Sequence, residues 1–317
     1  MANLYLTHKC NRGCPFCFAR KVLKESGGDA DEILTVEDVE KFLEHFGGQV
    51  NVLGLLGGEP FLYPHLAQLL ALLERKRVYA KIFTSATNEM PAVLRDMDAD
   101  VAAKRMRFIV NVGTRDTYSD EKYDRLDCFL RKFGALSSLS FTIFDLQADA
   151  SYLFDLIDRY DLNRDIRVGI ALPIYKGGNR YIPLSDYHRA GEYFVAQAEA
   201  AARRGITFSM DCGFMACMFT TLQIGILERV GTGLHFLCGA AMDIGPGLKA
   251  WNCFPLFRSG RIDVMQYASL AEVEQALAAL NRELLGDGCG VLDECAGCEM
   301  MRRSLCQGGC KSFKSLQ

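Results

Sequence analysis

The sequence predicts an α/β fold: a partial (β/α)6 barrel of TIM type followed by a cysteine-rich C-terminal region. Two observations predict it. Apolar strand-like runs alternate with amphipathic stretches of helical period through the first two-thirds of the chain, the pattern of a parallel sheet wound with helices. The cysteines are also uneven: residues 1–205 hold four of the 13 and residues 206–317 hold nine. That jump sets the expected boundary between a barrel, 1–205, and an auxiliary domain, 206–317, since no Pro- or Ser-rich linker marks one.

Each element has a local cause. Leu4–Thr7 is a short apolar strand running into the first cysteine loop. Val36, Val39, Phe42, Leu43 and Phe46 recur at helical spacing, with Thr35 as N-cap and Gly47-Gly48 as the stop. Val50–Leu56 is a second strand, ending at Gly57-Gly58-Glu59-Pro60. Helix Leu66–Leu73, strand Val78–Phe83, helix Met90–Met97 and strand Phe108–Val112 follow. Helix Arg125–Phe133, strand Leu139–Phe144, helix Tyr152–Tyr160, strand Ile166–Leu172 and helix Asp186–Arg203 complete six repeats. Ile206–Met210 is an extended run that leaves room for a seventh strand. In barrels of this type chemistry sits where strands end and loops begin.

Composition narrows the function classes. Of 317 residues 50% are hydrophobic and 24% charged, which excludes disorder, collagen and coiled coil. With 36 Lys+Arg against 39 Asp+Glu, the net charge of −3 offers no basic footprint for nucleic acid and no polybasic membrane anchor. No apolar run is long enough to span a membrane, and the N-terminus lacks a signal-peptide pattern, so the expected location is cytoplasmic. Cysteine clusters in a reducing compartment read as metal or iron–sulfur ligands rather than a disulfide framework.

The first loop, Cys10-Asn11-Arg12-Gly13-Cys14-Pro15-Phe16-Cys17, has the spacing C-x3-C-x2-C. Three thiolates on one short loop can hold three corners of a cubane and leave one iron open. Zinc is a poorer reading there, because structural zinc wants four local ligands. His8 and Lys9 flank the loop as solvated neighbours, and Cys128, between Leu126 and Phe129, reads as a core thiol. Gly57-Gly58-Glu59-Pro60 ends the second strand, and its two glycines allow a close backbone approach to a ligand.

These two motifs together resemble the radical SAM superfamily, whose signature is C-x3-C-x-aromatic-C with a GGE loop after the second strand. The resemblance implies that Cys10, Cys14 and Cys17 hold a [4Fe–4S] cluster. Its open iron chelates the amino and carboxylate groups of S-adenosylmethionine, and reductive cleavage yields a 5′-deoxyadenosyl radical. It implies that Phe16 packs near the adenine and that Gly57, Gly58, Glu59 and Pro60 receive the methionine amino group. Thr84 and Ser85, after the third strand, and Asn111, after the fourth, are candidates for the methionine carboxylate or ribose, or ordinary loop residues satisfying backbone groups.

The C-terminal cysteines are ordered too. Cys238 and Cys253 bracket a Gly245-Pro246-Gly247 turn, read as a hairpin. Cys295-Ala296-Gly297-Cys298 is C-x2-C, and Cys306-Gln307-Gly308-Gly309-Cys310 is C-x3-C. This pattern resembles the SPASM type of extension, which carries auxiliary [4Fe–4S] clusters. The resemblance implies that Cys238, Cys253 and Cys310 join Cys212 or Cys217 in auxiliary cluster I, and that Cys295, Cys298 and Cys306 begin auxiliary cluster II. The chain departs from the family pattern. Cys298 and Cys306 are separated by seven residues instead of five, Gly247 is one place off, and no cysteine follows Cys310. The fourth ligand of cluster II is therefore Cys289, Cys212 or Cys217, or an iron is left open. A zinc ribbon from Cys295, Cys298, Cys306 and Cys310 is the alternative.

Auxiliary clusters imply that electrons leave a substrate radical. The expected activity is thus oxidative modification of a peptide or protein, a crosslink, thioether or dehydrogenation of the kind made by maturases of ribosomal peptides and sulfatases. The same machinery acting on a small molecule such as an aminosugar is the second reading. A non-catalytic iron–sulfur or zinc protein that transfers electrons or senses redox state is the third, and Gly57–Pro60 argues against it. The chain begins at the first strand, so a separate leader-peptide-binding protein is an expected partner, with a reductase, flavodoxin or ferredoxin as electron donor. Asp145 and Asp211 are candidate proton acceptors, each equally readable as a cap or a cluster neighbour. Lys176 and Arg180, after the sixth strand, are candidates to grip an acidic substrate.

Overall fold

The structure is a computed structural model that describes residues 2–19, 33–113, 115–174, 178–239, 241–285 and 290–316. The chain forms two compact units that interleave along the sequence. The first comprises Met1–Ile109, Ile174–Asn179 and Ala240–Asp287, and the second Val110–Pro173, Arg180–Gly239 and Gly288–Gln317. The fold is α/β with mostly parallel strand pairing, as the alternation predicts.

In the first unit β1 (Ala2–Tyr5), β2 (Val52–Leu56) and β3 (Tyr79–Thr84) pair in parallel in that order. Helix α1 (Val36–Phe46) connects β1 to β2. Its N-cap Thr35 accepts the Asp38 N–H at 3.1 Å, and Gly47 turns out of it at φ 45°. It buries Val39, Phe42, Leu43 and Phe46, the face the spacing predicts. Helix α2 (Leu66–Arg75) covers the next crossover, and the expected helix Met90–Met97 shortens to Ala92–Arg95. Pro91 sets the start of that short turn, which ends one residue before Asp96.

The C-terminal hairpin joins this unit. Strands β8 (Met242–Gly245) and β9 (Lys249–Asn252) are antiparallel across the Pro246 turn, and β10 (Ile262–Asp263) pairs with β9. β8 lies parallel to β1 on the side opposite β2, so β1 is internal. The register sets Asn3 against Asp243, and the Asn3 amide donates to the Asp243 carboxylate at 2.8 Å.

That pair carries a pH dependence. Burial pushes the Asp243 carboxyl up to about 7, against the pull of the Asn3 amide. In the unfolded chain an aspartate titrates near its ordinary value of about 3.9. The native state therefore holds its proton to higher pH than the unfolded state. Stability is fullest below about pH 4, falls as pH rises to about 7, and the loss is then complete at roughly 4 kcal/mol, about 1.4 per unit. Asp243→Asn removes the charge and can pair with Asn3 Oδ1, a buried acceptor with no partner. Urea unfolding between pH 4 and 8 is expected to show that slope in the parent and its loss in the variant, which is the more stable of the two at pH 8.

In the second unit β5 (Ser137–Ile143), β6 (Asp165–Ile170) and β7 (Thr207–Met210) pair in parallel, with Leu139 opposite Ile166 and Ile166 opposite Phe208. The division between units passes through β4 (Met106–Asn111). β7 is the seventh strand for which the sequence left room. Helices α3 (Asp120–Phe133), α4 (Ser151–Tyr160) and α5 (Tyr187–Ala202) make the crossovers, and α6 (Thr221–Arg229) follows β7. Helix α7 (Leu270–Leu285) belongs to the first unit. The expectation of a buried Cys128 is corrected. The apolar stripe of α3 runs through Leu126, Phe129, Leu130 and Phe133, Cys128 falls off it, and its side chain is exposed. Among the described residues no helix is long and apolar enough to cross a membrane.

Candidate functional site

The loop after β1 and the loop after β2 are locked together backbone to backbone. The Gly58 N–H donates to Thr7 O at 2.7 Å and the Glu59 N–H to Lys9 O at 2.9 Å. Both glycines are required by this contact. A Cβ on Gly57 would stand 2.7 Å from Thr7 O, and one on Gly58 2.4 Å from Lys9 O and 2.8 Å from His8 O. The Gly-Gly pair thus serves the approach of the cysteine loop.

Cys10, Cys14 and Cys17 lie on that loop, where the Cys17 N–H bonds Cys14 O at 3.1 Å. Burial pushes the Cys10 thiol up, against the Arg12 N–H that donates to its Sγ at 3.4 Å; Glu59, Cys17 and Cys14 add to the rise. Asn179, which the sequence reading passed over, pins the loop. Its amide donates to Phe16 O at 3.0 Å and its side-chain oxygen accepts the Ile174 N–H. Asn88 does likewise, donating to Asn11 Oδ1 at 3.1 Å. Asn88 stands at the end of the third strand among polar residues the sequence marks, whereas Asn179 shows no periodic or motif signal, because its contact crosses distant loops.

Glu59 is 2% exposed, and both of its oxygens are occupied. Oε1 accepts from Thr84 Oγ1 at 2.6 Å and from the Phe61 N–H; Oε2 accepts from the Ser85 N–H at 2.9 Å and from Ser85 Oγ at 2.6 Å. Thr87 extends the network to Ser85 Oγ, at 2.9 Å. The hydroxyl donors of Thr84 and Ser85 are thereby spent on Glu59, which gives these residues the work of fixing its carboxylate. Pro60 is buried and opens the short turn Pro60–Leu62. Phe16 is half-buried, and Asn111 is exposed at the end of β4.

Of the two candidate acids, Asp145 caps its own loop by accepting the Gln147 N–H at 3.0 Å. Asp211 is a cluster neighbour: Arg167 pairs with it at 2.7 Å, and the Cys212 thiol faces the same oxygen at 3.8 Å. Arg180 stands over the Phe144 ring, 5.4 Å from its centroid. Lys176 and Cys289 lie outside the described residues.

None of the twelve described cysteines is in a disulfide. Those of the second unit sort into two groups. Crowding by surrounding protein pushes the Cys212 thiol up, with Asp211, Cys238 and Cys310 as neighbours that add to it. Burial likewise raises Cys217, and its neighbours are Cys306, Cys295 and Cys298. Hydrogen bonds and packing explain the grouping. Gln307 accepts the Cys238 N–H at 2.7 Å and donates its own N–H to Phe236 O. The Val291 N–H donates to Gly308 O, drawing the C-x2-C segment to the C-x3-C segment. Gly191 of α5 has no room for a Cβ, which would lie 2.5 Å from Met218 O, and this close approach seats the Ala216–Met218 turn that carries Cys217. Of the C-x3-C pair, Cys310 bears electrostatically on Cys212 and Cys306 on Cys217. Cys253 belongs to the first unit.

Among the described residues no three Cys, His, Asp or Glu side chains gather where one metal ion would sit. A cubane asks for something else, one thiolate for each iron, spread over corners. The three-cysteine loop fits that demand, with an N–H donor on Cys10 Sγ.

Residues 4–127 match the model of the radical SAM superfamily. The cofactors of that superfamily are a [4Fe–4S] cluster and S-adenosylmethionine. An S-adenosylmethionine-dependent nucleotide dehydratase from Thermoplasmatales archaeon (strain ISO4-H5) is 37% identical over 73 residues, 23% of this chain and 24% of that protein. The match thus spans about a quarter of that relative. Among solved structures, Streptococcus suis SuiB bound to precursor peptide SuiA superposes with TM-score 0.67 at 15% identity, covering 98% of this chain and 71% of that one. The structure of tagged anSMEcpe with bound AdoMet gives TM-score 0.66 at 16% identity, covering 98% and 89%. At these identities the likeness is one of fold.

Proposed function

We propose that the chain is a radical SAM enzyme that oxidatively modifies a peptide or protein, with Cys10, Cys14 and Cys17 holding the S-adenosylmethionine-binding cluster. The observation that carries the reading is the lock between the cysteine loop and Gly57–Pro60, which joins the two motifs at the ends of β1 and β2. When bound, the cluster and S-adenosylmethionine supply an electron and a deoxyadenosyl radical that takes a hydrogen atom from an unactivated carbon. The chain's own residues position and shield. Thr84, Ser85 and Phe61 hold the Glu59 carboxylate, Glu59 shapes the turn beside Cys10, and Asn179 and Asn88 hold the loop in place. Holding reactants in place supplies much of such catalysis.

The two thiol groups of the second unit support an oxidative outcome. In this reading Cys217, a neighbour of Cys295, Cys298 and Cys306, would serve as the fourth ligand of cluster II. Cys212, Cys238 and Cys310 form the other set in this reading. Clusters held by these thiols would give an electron a way out of a substrate radical. Asp211, paired with Arg167 beside Cys212, is the acid assigned here to accept the proton. The fold shared with SuiB, titled as bound to a precursor peptide, supports a peptide substrate. The stretch shared with a nucleotide dehydratase supports the second reading, a small-molecule substrate.

Mass spectrometry separates the two. The reconstituted protein, reduced and given S-adenosylmethionine, is incubated with short peptides encoded beside its gene and with a panel of nucleotides. Loss of two hydrogens from a peptide, with one 5′-deoxyadenosine formed per event, is the expected result. Loss of water from a nucleotide would overturn the peptide reading, and absence of 5′-deoxyadenosine under every condition would overturn the enzyme.

A further inference from the structure

The sheet of the second unit is apolar on one face and polar on the other. Phe141 of β5, Val168 of β6 and Phe208 of β7 are buried on the apolar face, where Phe208 meets Phe154 of α4 and Phe194 of α5. The alternate residues face the other way and form rows across the strands. The register sets Ser140 beside Arg167 and Arg167 beside Ser209. One row nearer the strand ends, Thr142 lies beside Gly169, with Asp211 on the far side of that glycine. These two rows hold no aliphatic side chain, and every residue in them except Ser140 is partly open. Parallel sheets are ordinarily apolar on both faces, and the inside of a closed barrel is filled with branched side chains. This face has given up that packing.

Gly169 leaves a hollow in it. The backbone there is not left-handed. A Cβ would meet Asp211 Oδ2 at 3.5 Å and Cys212 O at 3.7 Å, which are ordinary contacts. Neither conformation nor packing asks for this glycine, unlike Gly57 and Gly58. A glycine inside a strand weakens it and marks a place where another group comes close. Thr142 flanks the hollow with a hydroxyl. Asp211 flanks it on the other side: Oδ1 accepts from Arg167 at 2.7 Å, and Oδ2 faces the hollow.

We propose that the hollow at Gly169 seats a backbone amide of the substrate, its N–H donating to Asp211 Oδ2 and its C=O accepting from the Thr142 hydroxyl. The inference rests on the reading of the chain as a peptide-modifying enzyme and names the group that the enzyme grips. Strands two apart in a sheet are separated by roughly 9–10 Å. A trans amide, whose N–H and C=O point in opposite directions, bridges such a gap as a strand's own amide bridges its two neighbours. Asp165 lies on the same face, two residues before Arg167 on β6. Two carboxylates thus stand against one guanidinium, a balance that disfavours an anion. The face suits an uncharged amide and turns away the phosphates of a nucleotide.

The test uses the full, anaerobically reconstituted chain and a capped tetraalanine peptide, which offers backbone amides and no functional side chain. Saturation-transfer NMR reads its binding, with inorganic phosphate as competitor. The parent is expected to bind the peptide, and phosphate to leave that binding unchanged. Gly169→Val fills the hollow with a side chain that suits a strand, and binding is expected to weaken about tenfold. Should that variant not fold, Gly169→Ala decides: it is expected to melt no lower than the parent and to bind the peptide more weakly. Gly225→Ala, on α6, is the control, since a Cβ there meets nothing within 4 Å. No binding by the parent, parent-like binding by a folded Gly169 variant, or displacement by phosphate overturns the proposal. A loss in Gly225→Ala equal to that in Gly169→Ala also overturns it. The enzyme reading fails separately, if a parent that binds the peptide forms no 5′-deoxyadenosine under any condition.

Discussion

Replacing Cys10, Cys14 and Cys17 together with alanine is expected to remove about four irons per chain and to abolish reductive cleavage of S-adenosylmethionine. The three thiols share one loop and bear on one another electrostatically. They are the ligands proposed for the open-iron cluster, and deleting all three leaves no thiolate there. With two further clusters on the thiol groups of the second unit, iron is expected to fall from about twelve to about eight per chain. Iron, sulfide and zinc analysis after anaerobic reconstitution measures this. A parent with about four irons and one zinc, falling to none, would mean that the C-terminal cysteines are structural, and the electron outlet would be lost from the mechanism. The loop itself is expected to survive the triple replacement, because its anchors are backbone and amide contacts made by Thr7, Lys9, Asn11 and Phe16 rather than by the thiols.

Gly58→Ala is expected to do comparable harm without touching a ligand. Its Cβ would lie 2.4 Å from Lys9 O and 2.7 Å from Lys9 C, both backbone atoms. Neither can retreat without stretching the bonds from Gly58 N to Thr7 O and from Glu59 N to Lys9 O. Overpacking of this kind costs about 1–3 kcal/mol, and each strained hydrogen bond adds about 1 kcal/mol. We expect a stability loss of about 3 kcal/mol and at least a hundredfold loss of S-adenosylmethionine cleavage, because displacement near 1 Å is enough for that. Gly48→Ala is the control, since a Cβ there meets nothing within 4 Å. Thermal unfolding and 5′-deoxyadenosine formation on both variants check it; equal behaviour of the two would refute the interlocked-loop account.

Much of the fold was legible locally. The helical face Val39, Phe42, Leu43, Phe46 comes from a period of 3.6, and the strand Val52–Leu56 from a continuous apolar run. Boundaries slipped where the signal is weak: β1 starts at Ala2 instead of Leu4, and Pro91 delays the helix expected from Met90. Cys128 misled because two apolar neighbours, Leu126 and Phe129, were read without their phase on the helix. Asp145 and Asp211 looked alike in sequence, since both are aspartates just past a strand. Their difference lies in what they meet, an amide two residues on for one and Arg167 from another strand for the other.

By itself the sequence determined the chemistry available: three thiols at C-x3-C-x2-C spacing, a Gly-Gly-Glu-Pro turn at the end of a strand, and a strand–helix alternation that brings strand ends together. Ligand spacing within one loop is a local property, so it survives without knowledge of the fold. Only the tertiary structure decided that Thr84 and Ser85 spend their hydroxyls on Glu59, that Gly57 and Gly58 are glycine for the sake of Thr7, His8 and Lys9, and which thiols bear on Cys212 and on Cys217. These are contests between partners far apart in sequence. A hydroxyl, an amide or a thiol goes to whichever acceptor or neighbour the folded backbone brings within reach, and spacing along the chain carries no record of that distance.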